Sequence, residues 1–157
     1  PTPGPSVGED LMREVVALAR ESGIALRDSG KPLYVFSNPS CGACQFLDGQ
    51  LDLLPKDVNP IILPVGFDVS SLRMTTAALC LDKKDRGQVT GWQSLMKGQP
   101  ITSSICQTGL DASAKHAKLF ARMGFNATPT LVDASGRTIV GGGEAPQIAR
   151  WVAQAPR

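Results

Sequence analysis

The chain has 157 residues, of which 42% are hydrophobic and 19% charged, and its 16 basic and 14 acidic side chains leave a net charge of +2. This composition is typical of one globular domain and excludes disordered, collagen-like and coiled-coil proteins. A chain of this size buries roughly two thirds of its unfolded surface, so a hydrophobic core can form without a metal. We therefore predict a fold that does not depend on its cysteines.

The basic residues are dispersed along the chain. The densest basic cluster consists of Lys83, Lys84 and Arg86, with Asp82 and Asp85 between them. Interleaved charges of this kind are typical of a solvated helix end. Because a nucleic-acid-binding protein carries a continuous basic face instead, we predict no nucleic-acid partner.

No segment approaches the roughly 18 consecutive apolar residues that a membrane-spanning helix requires. The longest apolar segments are interrupted by Pro64, Pro100 or charged residues, so no direct membrane insertion is predicted. The sequence begins at Pro1 with no basic or apolar leader. We expect any export signal to have been removed or omitted.

Residues 1–30 are predicted to form a leader and a helix. Pro1–Gly8 is rich in proline and glycine, which do not sustain a helix, and we interpret it as a flexible leader. From Glu9 to Arg20 the apolar side chains recur at helical spacing, and the acidic first turn suits the positive end of the helix dipole. Gly23 is predicted to end this helix.

A strand, a tight turn and a helix follow. Leu33–Phe36 is a short apolar run bounded by turn residues, which is typical of a fully buried strand. Ser37–Ser40 turns the chain, and Cys41-Gly42-Ala43-Cys44 leads into a helix that Pro55 stops. The first turn of this helix therefore carries two thiols.

The rest of the chain is predicted to contain a strand, a helical insertion, a β-hairpin and a last helix. In chain order these are a strand at Ile61–Leu63, helices within about residues 69–124 that break near Gly87 and include one capped by Asp111, a hairpin of Thr130–Val132 and Arg137–Val140, and a helix at Ala145–Ala153. This order predicts an α/β fold in one unit, residues 31–157, with the helical insertion between its second strand and the hairpin.

The four cysteines divide into a close pair and two isolated residues. Cys41 and Cys44 form the redox arrangement, because free N–H groups at a helix start stabilise a thiolate on the first cysteine. Cys44, one turn into the helix, is placed to resolve a mixed disulfide. A zinc site is disfavoured because a second C-x-x-C is missing and His116 lies between Lys115 and Lys118 on a helix face predicted to be exposed. A structural disulfide in so short a loop would gain little stability.

The dipeptide Thr128-Pro129 stands directly before the hairpin. A proline at this position is trans by default, and a cis proline marks a site-specific tight turn. The upstream strand, C-x-x-C and helix, taken with the downstream hairpin and helix, favour the cis form here.

This ordered set of Tyr34-Val35-Phe36, Cys41-Gly42-Ala43-Cys44, Thr128-Pro129, hairpin and helix resembles the thioredoxin superfamily. The long helical insertion is similar to the bacterial Dsb branch, above all to the catalytic domain of the protein disulfide isomerases DsbC and DsbG. The threonine before the proline, the Leu63-Pro64 strand ending and a further cysteine pair in the insertion favour this branch. The resemblance covers about Lys31 to Ala153.

The resemblance implies a role for each of four residues. Cys41 would be the attacking thiolate and Cys44 the resolving thiol. Thr128 with a cis Pro129 would form a backbone ledge that pairs with a substrate strand beside the disulfide. No metal or cofactor is implied.

The resemblance also implies roles for the residues between and beyond these cysteines. Gly42 and Ala43 occupy the two positions that tune the redox potential, and Ala43 departs from the tyrosine of DsbC. Cys80 and Cys106 stand where DsbC carries a structural disulfide, which would contribute roughly 3–4 kcal/mol of stability. Two buried free thiols are the alternative. A bridged pair would indicate an oxidising compartment such as the periplasm.

The implied partners are disulfide-containing exported proteins, with a DsbD-like membrane reductase if the protein is an isomerase or reductant. DsbC-like isomerases have an N-terminal dimerisation domain joined by a linker helix, and here only about thirty residues precede the first strand. The helix from Glu9 would be that linker helix or an added helix. The alternative functions are a monomeric periplasmic reductant or oxidant, and a non-catalytic chaperone or binding module.

Overall fold

Six strands and six helices follow one another along residues 1–156, the part of the chain that the computed structural model describes. In chain order they are β1 (Thr2–Pro3), α1 (Glu9–Ser22), β2 (Ile24–Ala25), β3 (Lys31–Ser37), α2 (Gly42–Leu51), β4 (Val58–Pro64), α3 (Val69–Leu79), α4 (Gly87–Met96), α5 (Gln107–Arg122), β5 (Thr130–Asp133), β6 (Thr138–Val140) and α6 (Ala145–Ala153). The last helix has the predicted bounds, and both hairpin strands match theirs within one residue.

The strands form one sheet in the order β1-β6-β5-β3-β4-β2. β3 is parallel to β4 and antiparallel to β5, and α2 is the crossover between β3 and β4. β5 and β6 form the antiparallel hairpin, with Leu131 opposite Ile139. The predicted α/β fold is confirmed, and it places the start of α2 at the carboxyl end of β3.

Helices cover both faces of the sheet, which explains why β3 is apolar along its length. Leu33 and Val35 pack with α2, α4 and α6 on one face, and Tyr34 and Phe36 pack with α1 and α5 on the other. A strand with both faces buried has a continuous apolar run instead of an alternating pattern. Two cores, one on each side of the sheet, therefore hold β3 in place.

The predicted helical insertion consists of α3, α4 and α5, between β4 and β5. Cys80 is the C-cap of α3, and α5 begins about one turn before Asp111. Cys106 is the N-cap of α5, and its Sγ accepts the N–H of Gly109 at 3.2 Å. The prediction that Asp111 caps this helix is therefore wrong, because a sulfur atom supplies the cap earlier in the chain.

The prediction of a flexible leader at Pro1–Gly8 is also wrong. β1 pairs with β6, and the N–H of Val7 donates to the carbonyl of Gly136 at 2.8 Å. Val7 is buried in the same core as α1, which packs against β4 and α5. β2 then adds a strand beside β4, so residues 1–30 complete the sheet and its core. Strands of two residues have no periodic pattern from which they could be predicted.

β4 is longer than predicted because it includes Pro60 and Pro64. The N–H of Leu26 donates to the carbonyl of Pro60 at 2.9 Å, so the backbone of Pro60 faces the β2 side of the strand. Pro64, an even number of residues further on, faces the same side. Neither proline therefore removes a bond from the ladder between β3 and β4.

His116 is fully buried, contrary to the prediction that it lies on an exposed face. Its neighbours one turn further along α5, Leu119 and Phe120, are buried too, and this periodicity is a better guide than the flanking lysines. Nδ1 lies 2.9 Å from the carbonyl of Pro64, and Nε2 lies 2.7 Å from the hydroxyl of Ser22. Because a carbonyl only accepts, Nδ1 carries the proton and Nε2 accepts from Ser22.

This environment makes the stability of the fold depend on pH. Burial lowers the pKa of His116 to about 4, whereas an unfolded histidine has a pKa of about 6.5. Because the folded-state pKa is depressed, neutral His116 contributes to the free energy of unfolding. This contribution is complete above about pH 6.5 and is lost as the pH falls toward 4, by up to about 3 kcal/mol. We expect the difference in unfolding free energy between the wild type and His116→Gln to shrink over this range in denaturant titrations.

The comparison of the wild type with His116→Gln separates the titration of His116 from that of other groups. Burial and repulsion from Asp52 raise the pKa of Asp48 to about 6, so this carboxyl titrates in the same range. Asp48 titrates in both the wild type and His116→Gln, so its contribution cancels in the difference between their unfolding free energies. A difference that stays constant from pH 7 to pH 4.5 would contradict the assignment.

Candidate active site

The turn between β3 and α2 positions two thiols at the start of a helix. β3 ends at Ser37, and Cys41 is the N-cap of α2, with its N–H donating to the carbonyl of Asn38 at 3.1 Å. The Oδ1 of Asn38 accepts the N–H of Ser40 at 2.8 Å and fixes the turn. Cys41 thus lies at the carboxyl edge of the sheet, above the two cores.

Both cysteines of the C-x-x-C are free thiols, and their environments differ. Cys41 is partly exposed, whereas Cys44 is only 1% exposed. The N–H of Cys44 donates to the Sγ of Cys41 at 3.3 Å, and the N–H of Asn38 donates to the Sγ of Cys44 at 3.5 Å. An incoming disulfide can therefore reach Cys41 first.

The pKa values of the two thiols are shifted in opposite directions. Burial acts to raise the pKa of Cys41, but hydrogen bonds from the side chain and backbone of Cys44 outweigh it and lower this pKa. Burial raises the pKa of Cys44 to about 11, and the hydrogen bond with Cys41 adds to that shift. The positive end of α2 also favours a thiolate at its N-cap. The exposed sulfur is thus the one that ionises readily.

We expect selective alkylation to report this asymmetry. Iodoacetamide at neutral pH should label Cys41 faster than an ordinary thiol, whose pKa is about 8.5, and leave Cys44 unlabelled. Mass spectrometry of samples quenched across a pH series gives the inflection for each residue. In Cys44→Ala, which loses the thiol hydrogen bond but keeps the N–H, the inflection of Cys41 should move to higher pH. An inflection of the wild-type Cys41 at or above 8.5 would contradict the assignment.

Thr128 and Pro129 lie beside the first thiol. The peptide bond between them is cis, and the Cys41 thiol donates to the carbonyl of Thr128 at 3.5 Å. Pro129 is buried, and β5 starts directly after it beside β3. The fold therefore brings together Cys41, Cys44, Thr128 and Pro129 from two segments that are far apart in the sequence.

Gly42 and Ala43 are exposed on the first turn of α2, and a glycine segment to which sequence reasoning gave no role approaches Ala43. A Cβ atom on Gly142 would lie 3.0 Å from the carbonyl oxygen of Ala43. Gly141, at φ 95°, donates its N–H to the carbonyl of Pro129 at 2.8 Å. The run of three glycines after β6 was the available signal, because such runs mark close approach of the backbone to another group.

Cys80 and Cys106 lie outside this site. They form a disulfide with their Cα atoms 5.7 Å apart, which joins the end of α3 to the start of α5. The N–H of Cys106 donates to the Sγ of Cys80 at 3.0 Å. This bond connects two helices of the insertion.

Residues 1–156 contain no group of three or more His, Cys, Asp or Glu side chains placed to hold a metal ion. His116, the one histidine of the sequence, is already engaged with Pro64 and Ser22. Within the same residues, no helix has the length and apolar character needed to cross a membrane.

Comparison with known proteins gives structural matches only. No protein-family model matches the chain, and no curated protein matches its sequence. The disulfide interchange protein from Neisseria gonorrhoeae matches with 26% identity and a TM-score of 0.72, covering 85% of this chain and 95% of that one. The catalytic domain of Proteus mirabilis ScsC matches with 18% identity and a TM-score of 0.78, covering 92% and 96%.

A periplasmic thioredoxin-like protein from Salmonella enterica serovar Typhimurium matches with 17% identity and a TM-score of 0.67, covering 96% of this chain and 98% of that one. These matches extend over nearly the whole of each chain, so they include the helical insertion as well as the sheet. By its sheet, its helices and these structural matches, the chain has a thioredoxin-like fold.

Proposed function

We propose that this chain is a thiol–disulfide oxidoreductase in which Cys41 is the nucleophile and Cys44 the resolving thiol. The asymmetry of the two thiols carries the proposal, since the partly exposed sulfur has the lowered pKa and lies beside Thr128 and the cis Pro129. The match to a disulfide interchange protein supports the same chemistry.

In the first step, the Cys41 thiolate attacks one sulfur of a substrate disulfide. A bond forms between Cys41 Sγ and that sulfur, the substrate disulfide breaks, and its second sulfur leaves as a thiolate that takes a proton from water. The N–H of Cys44 stabilises the attacking sulfur beforehand. The backbone of Thr128 offers an extended substrate strand a place beside the mixed disulfide.

The mixed disulfide then has two fates. In reduction, Cys44 loses its proton and attacks Cys41 Sγ; the Cys41–Cys44 disulfide forms, and the substrate gains two electrons and two protons. In isomerisation, another substrate thiol attacks instead and Cys41 leaves as a thiolate, with no net change in oxidation state. Burial and the hydrogen bond with Cys41 hold the pKa of Cys44 at about 11 in the free dithiol, so this thiol is protonated at neutral pH before Cys41 reacts.

An apolar groove beside Cys41 suits unfolded substrates. The Sδ of Met74 lies 3.8 Å from the Oγ of Ser40, the residue before Cys41. Met74 also lines a cavity of about 710 Å³ together with Val69 and Ile105, which are 75% and 46% exposed. Misfolded exported proteins display apolar segments that can bury such side chains.

We further propose the periplasm as the compartment of this activity. The Cys80–Cys106 disulfide is of a kind that persists in oxidising compartments. Free thiols at Cys41 and Cys44 need a source of electrons there, and a DsbD-like membrane reductase is the proposed partner.

Within this chemistry we propose isomerase activity of the DsbC and DsbG type, which the exposed apolar side chains of the groove beside Cys41 support. A monomeric reductant or oxidant is the alternative. The test is recovery of active ribonuclease from its scrambled form in a fixed glutathione buffer. The wild type is compared with Cys41→Ala and with Cys44→Ala.

The ribonuclease assay, an insulin reduction assay and an aggregation assay together distinguish the functions. An isomerase restores activity with the wild type and, in part, with Cys44→Ala, whereas Cys41→Ala is inactive. A reductant reduces insulin but does not restore ribonuclease, and that result would exclude the isomerase. A non-catalytic chaperone would suppress aggregation of reduced, unfolded ribonuclease equally well with Cys41→Ala.

A further inference from the structure

A cleft of about 780 Å³ runs along the edge strand β2, and its lining includes no residue of the C-x-x-C or the Thr128-Pro129 turn. The end of α1, β2 with the following turn, and the loop between α3 and α4 form its walls. Five basic side chains line it, with one acidic side chain, Asp28, among them; the basic ones are Arg20, Arg27, Lys83, Lys84 and Arg86. Its volume is in the range of small-molecule sites.

The cleft concentrates positive charge. Its five cations and one carboxylate amount to +4, whereas the whole chain carries +2, so the remainder of the chain is net negative. Asp82 and Asp85 do not line the cleft, and the Oδ1 of Asp82 accepts the backbone N–H of Lys84 at 2.9 Å. Lys83, Lys84 and Arg86 are exposed beside the start of α4, as the prediction of a solvated helix end requires, and Arg20 and Arg27 join this basic cluster from distant segments.

Two of the five cations are free to meet a ligand. Arg27 and Lys83 donate to backbone carbonyls, and Arg86 is paired with Asp28. The side chains of Arg20 and Lys84 have no hydrogen bond or ion pair within residues 1–156, and both are exposed. Free cations that face a shared cleft attract an anion electrostatically.

α4 points its N-terminus at the same cleft. Its N-cap is Arg86, at φ 54°, and the N-cap side chain makes no capping hydrogen bond. The first-turn residues Gln88 and Val89 line the cleft. The free N–H groups and the positive dipole end of a helix N-terminus together favour a bound anion.

Two buried polar side chains provide an independent indication of a ligand. Gln88 and Tyr34 are 3% and 4% exposed, and both line the cleft. Neither side chain has a hydrogen-bond partner in the described part of the chain, and neither contributes a fully enclosed polar atom, so both polar groups open onto the cleft and can meet a ligand there. Burial raises the pKa of Tyr34 and the charge of Arg20 opposes this shift, so the phenol and the guanidinium lie near one another.

We propose that this cleft binds a small oxyanion with at least two negative charges, of the phosphate or polycarboxylate type. The oxygens of the anion accept hydrogen bonds from the first turn of α4, the Gln88 amide and the Tyr34 hydroxyl. Arg20 and Lys84 supply the balancing charge. The lining holds no exposed aromatic face on which a nucleotide base could stack, so the site recognises the charge of the anion and the arrangement of its oxygens.

Isothermal titration at low salt with inorganic pyrophosphate, and separately with citrate, tests the proposal. We expect at least one of the two to bind, and the one that binds more tightly identifies the type of oxyanion. Kd should rise about tenfold in the double variant Arg20→Gln/Lys84→Gln, and about threefold in Tyr34→Phe. In labelled wild-type protein, the amide resonances of Gln88 and Val89 should shift on titration.

Lys56→Gln/Lys118→Gln is the matched control, because it removes the same charge at exposed residues that do not line the cleft. Its Kd should stay within about twofold of the wild type. Absence of binding with both anions, or an equal loss in the control, would overturn the proposal. Binding is measured without thiol chemistry, so it should be unchanged in Cys41→Ser and does not depend on the proposed oxidoreductase activity.

Discussion

Replacement of Cys41 by alanine is expected to lower the rate of insulin disulfide reduction by at least about a thousandfold. No other cysteine can take over, because Cys44 is 1% exposed with a pKa of about 11 and Cys80 is bonded to Cys106. The measurement is the initial rate of insulin reduction with dithiothreitol as the electron source, corrected for the uncatalysed rate.

The matched variant is Cys44→Ala, which keeps the nucleophile and removes the resolving thiol. It should perform the first step and then accumulate a mixed disulfide with the substrate. Non-reducing electrophoresis and mass spectrometry would detect that species joined through Cys41. Retention of more than a few per cent of the wild-type rate by Cys41→Ala would remove the basis for the proposed mechanism.

Removal of the disulfide in the helical insertion is expected to lower the free energy of unfolding by roughly 3–4 kcal/mol, because the bond closes a long loop of the unfolded chain. The bonded cysteines are 26 residues apart. For a domain of this size the loss corresponds to a fall in Tm of about 10 °C. The variant is Cys80→Ala/Cys106→Ser, since a serine can still cap α5 by accepting the N–H of Gly109.

A second measurement distinguishes the stability lost with the disulfide bond from the stability lost through altered side-chain packing. In a Cys41→Ser background, only Cys80 and Cys106 can form an intramolecular disulfide with native spacing. Added reductant should lower the Tm of that protein toward the value of the double variant and leave the double variant itself unchanged. A Tm of the Cys41→Ser protein that does not respond to reductant, with the bond shown to be broken, would contradict the expected stabilisation.

The elements that sequence reasoning located well are those with a strong local signal. β3 is a continuous apolar run between turn residues, α2 begins at a C-x-x-C, and α6 has an amphipathic pattern between glycines and the end of the chain. Thr128-Pro129 is a short signal, but its position directly before a hairpin favoured the prediction of a cis peptide bond. Each of these signals is contained within about ten residues, so no long-range contact had to be known.

The errors concern features that depend on tertiary contacts. β1 and β2 are strands only because β6 and β4 offer edges to pair with. His116 looked solvated beside two lysines, yet its helix face packs on α1 and β4. The basic cleft needs Arg20 from α1 and Lys84 from the α3–α4 loop in one place, and no sequence spacing connects them.

The two edges of the sheet are each finished by a strand of only two residues, β1 and β2. β1 contains Pro3 and is followed by Pro5, residues that have no N–H to donate. A long open edge would accept any extended polypeptide as an additional strand. The proposed function would bring the protein into contact with such polypeptides. Because both edge strands are short and β1 also bears proline, neither edge offers such a polypeptide a long row of hydrogen bonds, and the sheet is protected from co-aggregation.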